Sequence, residues 1–130
     1  MTNPNSDTTT EGIRIEVTPE FIPERSEPDK KLFFFIYNIR ITNNSEENLQ
    51  LLSRYWLIIN ADGDENEVKG EGVVGQFPYL KPGQNFEYSS FTPLDTEWGT
   101  MEGHYTFEKD NGEKIEAKIG RFYLTSDILV

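Results

Sequence analysis

Apolar and polar side chains alternate with a period of two along most of this chain, and no other feature constrains its fold as strongly. The alternation is clear at residues 13–17, 33–41, 86–90, 101–107 and 115–119. A period of two places successive side chains on opposite faces of a β-strand, whereas an amphipathic helix needs a period of 3.6. No segment shows the helical period convincingly, so the sequence predicts an all-β protein.

Short turn-forming segments separate the predicted strands, as at residues 43–48, 62–66 and 109–112. About seven to eight short strands with such turns between them are typical of a β-sandwich. We expect a single sandwich domain over residues 12–130. Residues 1–11 are polar and rich in threonine and asparagine, and we expect them to form a disordered N-terminal arm.

The charge and the cysteine content limit the partners and the compartment. The formal net charge is −11 at pH 7, so nucleic acid would be repelled and a basic protein partner or a cation is favoured. The chain has no cysteine, which excludes disulfides and thiolate metal sites and fits a reducing cytoplasm. No apolar run reaches the roughly 20 residues of a membrane span, and no signal peptide is recognisable.

The stretch GEGVVG places Gly70, Gly72 and Gly75 in the pattern of a dinucleotide-binding fingerprint. In that fingerprint a helix follows the glycines and holds the phosphates at its N-terminus. Pro78 and Pro82 make such a helix improbable here. Two interpretations remain: a glycine-rich bend of the sandwich, or a nest of backbone amides that binds phosphate, pyrophosphate or a nucleotide. Arg54 and Lys69 would complete the second kind of site.

The residue types that usually carry catalysis or hold metals are scarce. His104 is the only histidine, and its phase in the predicted strand places it on the surface. The acidic turn around Asp62 lacks the glycine and glutamate positions of an EF-hand loop, so a solvated hairpin turn explains it better. We therefore predict no catalytic residues, no metal ligands and no cofactor.

Two further features suggest recognition of a protein. Arg54 shares a strand face with Trp56 and needs a carboxylate or several carbonyl groups as partners if it is buried. It either has such a structural role or lies at the mouth of a groove. Aromatic side chains at Phe77, Tyr79 and Phe91 either form a partner-binding patch or cover one end of the sandwich.

The segment from Leu51 to Ser90, together with WGTMEGHYTF, resembles the ApaG family, also called CorD, over about residues 13–124. The residues that carry the resemblance are Arg54, Trp56, Asp62, Gly63, Val68, Gly70, Gly72, Val73, Val74, Gly75, Pro78, Leu80, Pro82, Gly83, Phe86, Tyr88, Ser90, Gly99, Met101, Gly103 and Tyr105.

The resemblance implies a fibronectin type III-like, immunoglobulin-like β-sandwich. It associates the chain with cobalt resistance and magnesium efflux, and with the interaction domains of some eukaryotic F-box and polymerase-associated proteins. We therefore expect a non-enzymatic, cytoplasmic binding domain with an unidentified protein partner. A small-ligand domain that binds phosphate or a nucleotide is the alternative. The sequence leaves open whether the protein is a monomer or an edge-strand dimer.

Overall fold

The computed structural model describes residues 5–126, and within them the regular structure consists of nine strands and two short 3₁₀ turns. The 3₁₀ turns, Pro23–Arg25 and Pro28–Lys30, form the proline-rich connection that follows β2. The strands are β1 (Ser6–Thr10), β2 (Ile13–Phe21), β3 (Phe33–Asn43), β4 (Leu49–Asn60), β5 (Glu65–Glu71), β6 (Tyr79–Leu80), β7 (Asn85–Leu94), β8 (Trp98–Lys109) and β9 (Lys114–Thr125).

The strands form two antiparallel sheets. One has the order β1-β2-β3-β7, and the other has the order β5-β4-β8-β9 with the short β6 also paired to β4. The inward side chains of both sheets meet in one core, which contains large residues such as Phe35, Trp56, Tyr105 and Phe122. The predicted all-β sandwich is therefore confirmed.

The expected disordered arm is wrong over Ser6–Thr10, because these residues form β1 and pair with β2 in register from Ser6–Val17 to Thr10–Ile13. Glu11 and Gly12 connect the two strands and both have positive φ, 47° and 83°. Positive φ at both central residues matches a tight two-residue hairpin turn. The polar composition of this segment suggested disorder, but its threonines are residues that favour β-strands. Residues 1–4 of the predicted arm lie outside the described residues.

One lateral side of the sandwich is closed by β1. The Ser6 hydroxyl donates to the Gly120 carbonyl at 2.7 Å, and the Lys118 amide donates to Thr10 Oγ1 at 3.1 Å, so β1 joins the edge strand β9 of the other sheet. On the opposite side, β5 and β7 are the terminal strands of their sheets, each paired with one neighbour. We call this the open side, and the glycine motif lies on it.

Candidate functional site

Arg54 and the glycine motif form one structural unit at the open side. Arg54 is paired with Gly70 across β4 and β5. Its Nη1 donates to the carbonyl oxygens of Glu71 and Gly72 at 3.0 and 2.8 Å. A Cβ at Gly70 would lie 2.6 Å from Arg54 Nη2. Gly70 therefore has no side chain because the guanidinium occupies that space, and Arg54 uses carbonyl partners rather than a carboxylate.

The other two glycines shape the turn that follows β5. Gly72 has a φ of +63°, and a Cβ there would lie 2.5 Å from the backbone oxygen of Gln76. Val73 and Gln76 exchange two backbone hydrogen bonds of 2.9 and 2.8 Å, which close a tight turn over Val74 and Gly75. Backbone geometry thus accounts for both Gly72 and Gly75.

The predicted phosphate site is only partly assembled. The Gly72 amide donates to the Leu52 carbonyl, and the amides of Val73 and Gln76 bond to each other's carbonyls, so these donors are already used within the chain. Lys69 alternates with Gly70 along β5 and lies on the outer face of the sheet, with Nζ 5.9 Å from the centre of the Tyr55 ring. Arg54 is on the inner face. Phosphate or nucleotide binding at this loop stays a prediction, and the hydrogen bonds favour the structural interpretation of the glycines.

Val74 is the strained residue of the turn. Its φ is +44°, a conformation that a β-branched side chain rarely adopts. Its side chain nevertheless points into solvent and is 52% exposed, whereas the adjacent Val73 is buried in the core. The turn therefore holds an apolar side chain at its tip at the expense of backbone strain. Backbone strain of this kind is found most often at functional sites.

The Val74→Asn substitution is expected to stabilise the protein by about 1 kcal/mol. Asparagine tolerates positive φ and is favoured in turns of this geometry, and no buried contact is lost. The free energy of unfolding from urea titration measures the effect. Val73→Asn serves as the contrast and should destabilise the fold, because that side chain is fully buried. A Val74→Asn protein that is less stable than the wild type would contradict the inference that the Val74 backbone is strained.

Two of the three predicted aromatic anchors lie close to this turn in the chain. Phe77 and Tyr79 are 48% and 45% exposed. The loop between them is tied down: Gln50 donates to the Phe77 carbonyl at 3.2 Å, and the Tyr79 hydroxyl donates to Asp110 at 2.8 Å. This second bond raises the pKa of Tyr79. The Asp110 carboxylate also accepts a hydrogen bond from the Asn48 side chain. This bond and, to a smaller extent, the bond from Tyr79 lower the pKa of Asp110.

Phe91, the third predicted anchor, lies in the other sheet. It is part of β7, and its ring stacks on Phe34 with the centroids 5.4 Å apart. The Arg25 guanidinium also lies over the Phe34 ring, 4.4 Å from its centre. The structure thus assigns Phe91 to a separate aromatic contact. We call Val74, Phe77 and Tyr79 together the loop surface.

His104 lies on the outer face of the five-stranded sheet, where its side chain is 35% exposed. Its ring stacks on Tyr55 at 5.1 Å, and its Nε2 is 3.3 Å from a Glu116 oxygen. The Tyr55 hydroxyl in turn donates to Glu67 at 2.5 Å, which raises the pKa of Tyr55. His104 thus belongs to a surface network. An open depression over this part of the sheet is lined by Ser53, Arg54, Tyr55, Glu67, Lys69, Gly70, Glu71 and His104.

A cluster of tyrosine hydroxyls behind Arg54 was not identified from the sequence. The hydroxyls of Tyr88 and Tyr105 lie 2.5 Å apart inside the sandwich. Burial raises the pKa of Tyr88, Tyr105 and Tyr37, while the nearby positive charge of Arg54 acts in the opposite direction on all three. The signal available in the sequence is tyrosine at inward positions of three strands, since a buried hydroxyl needs a hydrogen-bonding partner.

Within residues 5–126, no three histidine, aspartate or glutamate side chains converge as a metal-ligand group. The acidic turn at Asp62 is a hairpin end: the Asp62 and Asp64 amides both donate to the Asn60 side-chain oxygen, at 3.0 and 2.9 Å. The described part of the chain also contains no helix with the length and apolarity needed to cross a membrane.

The sequence of this chain is similar to the sequences of known proteins. Residues 23–109 match the model of the ApaG domain. The protein ApaG of Methylobacterium sp. (strain 4-46) is 49% identical over 115 residues, which is 88% of each chain. The protein ApaG of Anaeromyxobacter dehalogenans (strain 2CP-C) is 48% identical over 115 residues, covering 88% of this chain and 90% of the relative.

Solved structures give the same result. The crystal structure of an ApaA protein from Bordetella pertussis superposes with a TM-score of 0.87 at 39% sequence identity, covering 95% of this chain and 99% of the other. The C-terminal domain of Wzt gives a TM-score of 0.56 at 10% identity, which shows a shared fold alone. With a family model over most of the chain and relatives nearly half identical, this chain belongs to the ApaG family.

Proposed function

We propose that the protein is a non-catalytic domain that binds another protein through the loop surface. The observation that carries this proposal is the exposure of three large side chains within the short segment from Val74 to Tyr79, where Val74 is 52%, Phe77 48% and Tyr79 45% exposed. Aromatic side chains on rigid loops are frequent anchors of protein interfaces.

The loop surface is held in position before any partner arrives. Arg54 holds the carbonyls of Glu71 and Gly72, the Val73–Gln76 hydrogen bonds close the turn, and Gln50 holds the Phe77 carbonyl. A loop that is already ordered loses little conformational entropy on binding. The strain at Val74 supports the same proposal, because a glycine or asparagine would form this turn at lower energy but without an apolar tip.

A link to divalent-cation homeostasis would act through the partner, since no metal-ligand group converges among residues 5–126. We also propose that the protein is cytoplasmic, because a chain without cysteine has no disulfide that would need an oxidising compartment.

The phosphate alternative has its own test. Millimolar pyrophosphate or ATP should shift the amide NMR signals of Gly70, Gly72 and Gly75 if this loop is a phosphate site. Unchanged signals would remove that alternative.

Affinity capture from the native organism tests the proposal, with the wild type compared against Phe77→Ala and Val74→Asn. We expect both variants to reduce one specific partner at least about tenfold, the loss expected from truncating an interface anchor. Val74→Asn is informative because it should stabilise the fold while removing the apolar tip. A loss of binding then cannot arise from unfolding.

Trp98→Ala is the matched control, because Trp98 is also 48% exposed but lies at the start of β8 in a different part of the sheet. It should leave the partner unchanged. If Phe77→Ala and Trp98→Ala capture the same proteins in the same amounts as the wild type, the loop surface is not the binding site.

A further inference from the structure

The free edge of β5 presents a defined set of backbone groups. Two hydrogen bonds at the ends of the β4–β5 hairpin fix which residues of β5 face β4. One runs from the Asn60 amide to the Asp64 carbonyl, and the other from the Gly72 amide to the Leu52 carbonyl. Alternation in an antiparallel ladder then directs the backbone groups of Asn66, Val68 and Gly70 toward β4. The groups that point outward belong to Glu65, Glu67, Lys69 and Glu71, all of which have exposed side chains.

The same edge carries concentrated negative charge. The segment from Asp62 to Glu71 holds five carboxylates and one lysine. Among residues 5–126, none of these five carboxylates lies within ion-pair distance of a lysine, arginine or histidine, whereas acids elsewhere, such as Asp7 and Glu102, do have such partners. Among the described residues, no direct ion pair therefore offsets the repulsion between the carboxylates of this edge.

The other free edge is less suited to accept a strand. Glu87 on β7 is 3.8 Å from Arg40, and the Ser89 hydroxyl donates to Asn38. Pro93 has no amide to donate to a new neighbour. The edge of β5 contains no proline and leads directly into the turn of the loop surface. Its charge and its continuity with the loop surface both distinguish it from β7.

We propose that β5 accepts an extended, basic segment of the partner as an additional antiparallel strand. Antiparallel addition places four alternate residues of that segment opposite Glu71, Lys69, Glu67 and Glu65, in this order along its sequence. Opposite charges favour directly facing cross-strand pairs. The segment thus has the pattern basic-x-acidic-x-basic-x-basic, with its middle residue facing the half-buried Val68. This inference rests on the proposed function and names the chemistry of the partner.

The peptide acetyl-KTEVKTK-amide has this pattern and serves as the probe. We expect binding at low ionic strength, with slower hydrogen exchange at the amides of Glu65, Glu67, Lys69 and Glu71, which gain a hydrogen-bonding partner. The intervening amides of Asn66, Val68 and Gly70 already face β4 and should change little. Association by charge alone would not produce this alternation, so uniform or absent protection along β5 overturns the proposal.

The reversed peptide, acetyl-KTKVETK-amide, has the same composition and net charge but places lysine opposite Lys69 and glutamate opposite Glu67. Two mismatched pairs should weaken binding about tenfold. Equal binding of the two peptides, or tighter binding of the reversed one, overturns the proposed register. In that case the charges would serve only to prevent edge-to-edge aggregation, a common role of charged edge strands.

A pair of protein variants gives the matched control. Glu65→Lys/Glu71→Lys changes two residues of the edge, and Glu24→Lys/Glu46→Lys makes the same charge change at exposed positions elsewhere. The first should weaken binding of the matched peptide at least tenfold, and the second by less than about threefold. If the peptide fails to protect β5 while a captured partner still depends on Phe77, the strand addition is wrong and the proposed function stands.

Discussion

The Gly103→Ala substitution is expected to lower the free energy of unfolding by more than about 3 kcal/mol, a large part of the stability of a typical domain. A methyl group at Gly103 would lie 1.9 Å from the Tyr55 carbonyl oxygen and 3.1 Å from the Cα of Trp56. Both are backbone atoms of β4, which pairs with β8 along nearly its whole length. A side chain cannot rotate away from such a clash, so the two central strands would have to separate and lose hydrogen bonds.

Two other glycines provide the comparison for Gly103. A methyl group at Gly112 meets no atom within 4 Å, but its φ of +88° should cost about 1 kcal/mol for any residue with a Cβ. The three atoms nearest to a methyl group at Gly70 all belong to the end of the Arg54 side chain, which can move. Urea unfolding of the three alanine variants should therefore rank Gly103 as far the most sensitive. A Gly103→Ala protein with the wild-type midpoint would show that β4 and β8 do not approach this closely.

The sequence could predict most strands of the fold, but it could not predict how closely β4 and β8 pack against each other. Alternation at residues 13–17, 33–41, 86–90, 101–107 and 115–119 predicted strands where β2, β3, β7, β8 and β9 form, because burial on one face requires it. It did not identify β1, since that strand contributes hydroxyl contacts such as Ser6 to Gly120 rather than apolar side chains. Nor could alternation show that Gly103 is a packing contact between β4 and β8, because that depends on the distance between two strands far apart in the chain.

The sequence predicted which residues of the candidate site lie together, but not what each of them does there. Arg54, Gly70 and Gly72 were selected as a possible phosphate site, and the structure does bring these three together. Their relation is different, because Arg54 donates to the loop carbonyls and covers Gly70. Lys69 and Arg54 both line the open depression, but Lys69 lies beside the Tyr55 ring, whereas the Arg54 guanidinium lies over Gly70 and bonds to the loop carbonyls. A motif fixes residue types and spacing, whereas a binding role depends on which donors the fold leaves free.

The free energy of unfolding is expected to fall steeply above about pH 10, because the buried tyrosines must stay neutral in the folded state. Burial holds the pKa of Tyr88 and Tyr105 well above the ordinary value of 10. Below pH 10 both states keep these protons, and the stabilisation is complete. Above pH 10 the unfolded chain releases them and the folded chain does not. Stability then decreases by about 1.4 kcal/mol per pH unit for each tyrosine held neutral.

The double substitution Tyr88→Phe/Tyr105→Phe should make this decline shallower by up to about 2.7 kcal/mol per pH unit, the contribution of two such groups. Both hydroxyls are removed together because each is the hydrogen-bonding partner of the other, and a single substitution would leave one unpaired in the core. Urea midpoints between pH 9 and 11.5 measure the slope. Tyr123→Phe, at an exposed position on β9, should keep the wild-type slope. If the double variant and the wild type lose stability in parallel, alkaline unfolding has another origin and the hydroxyl pair behind Arg54 does not govern it.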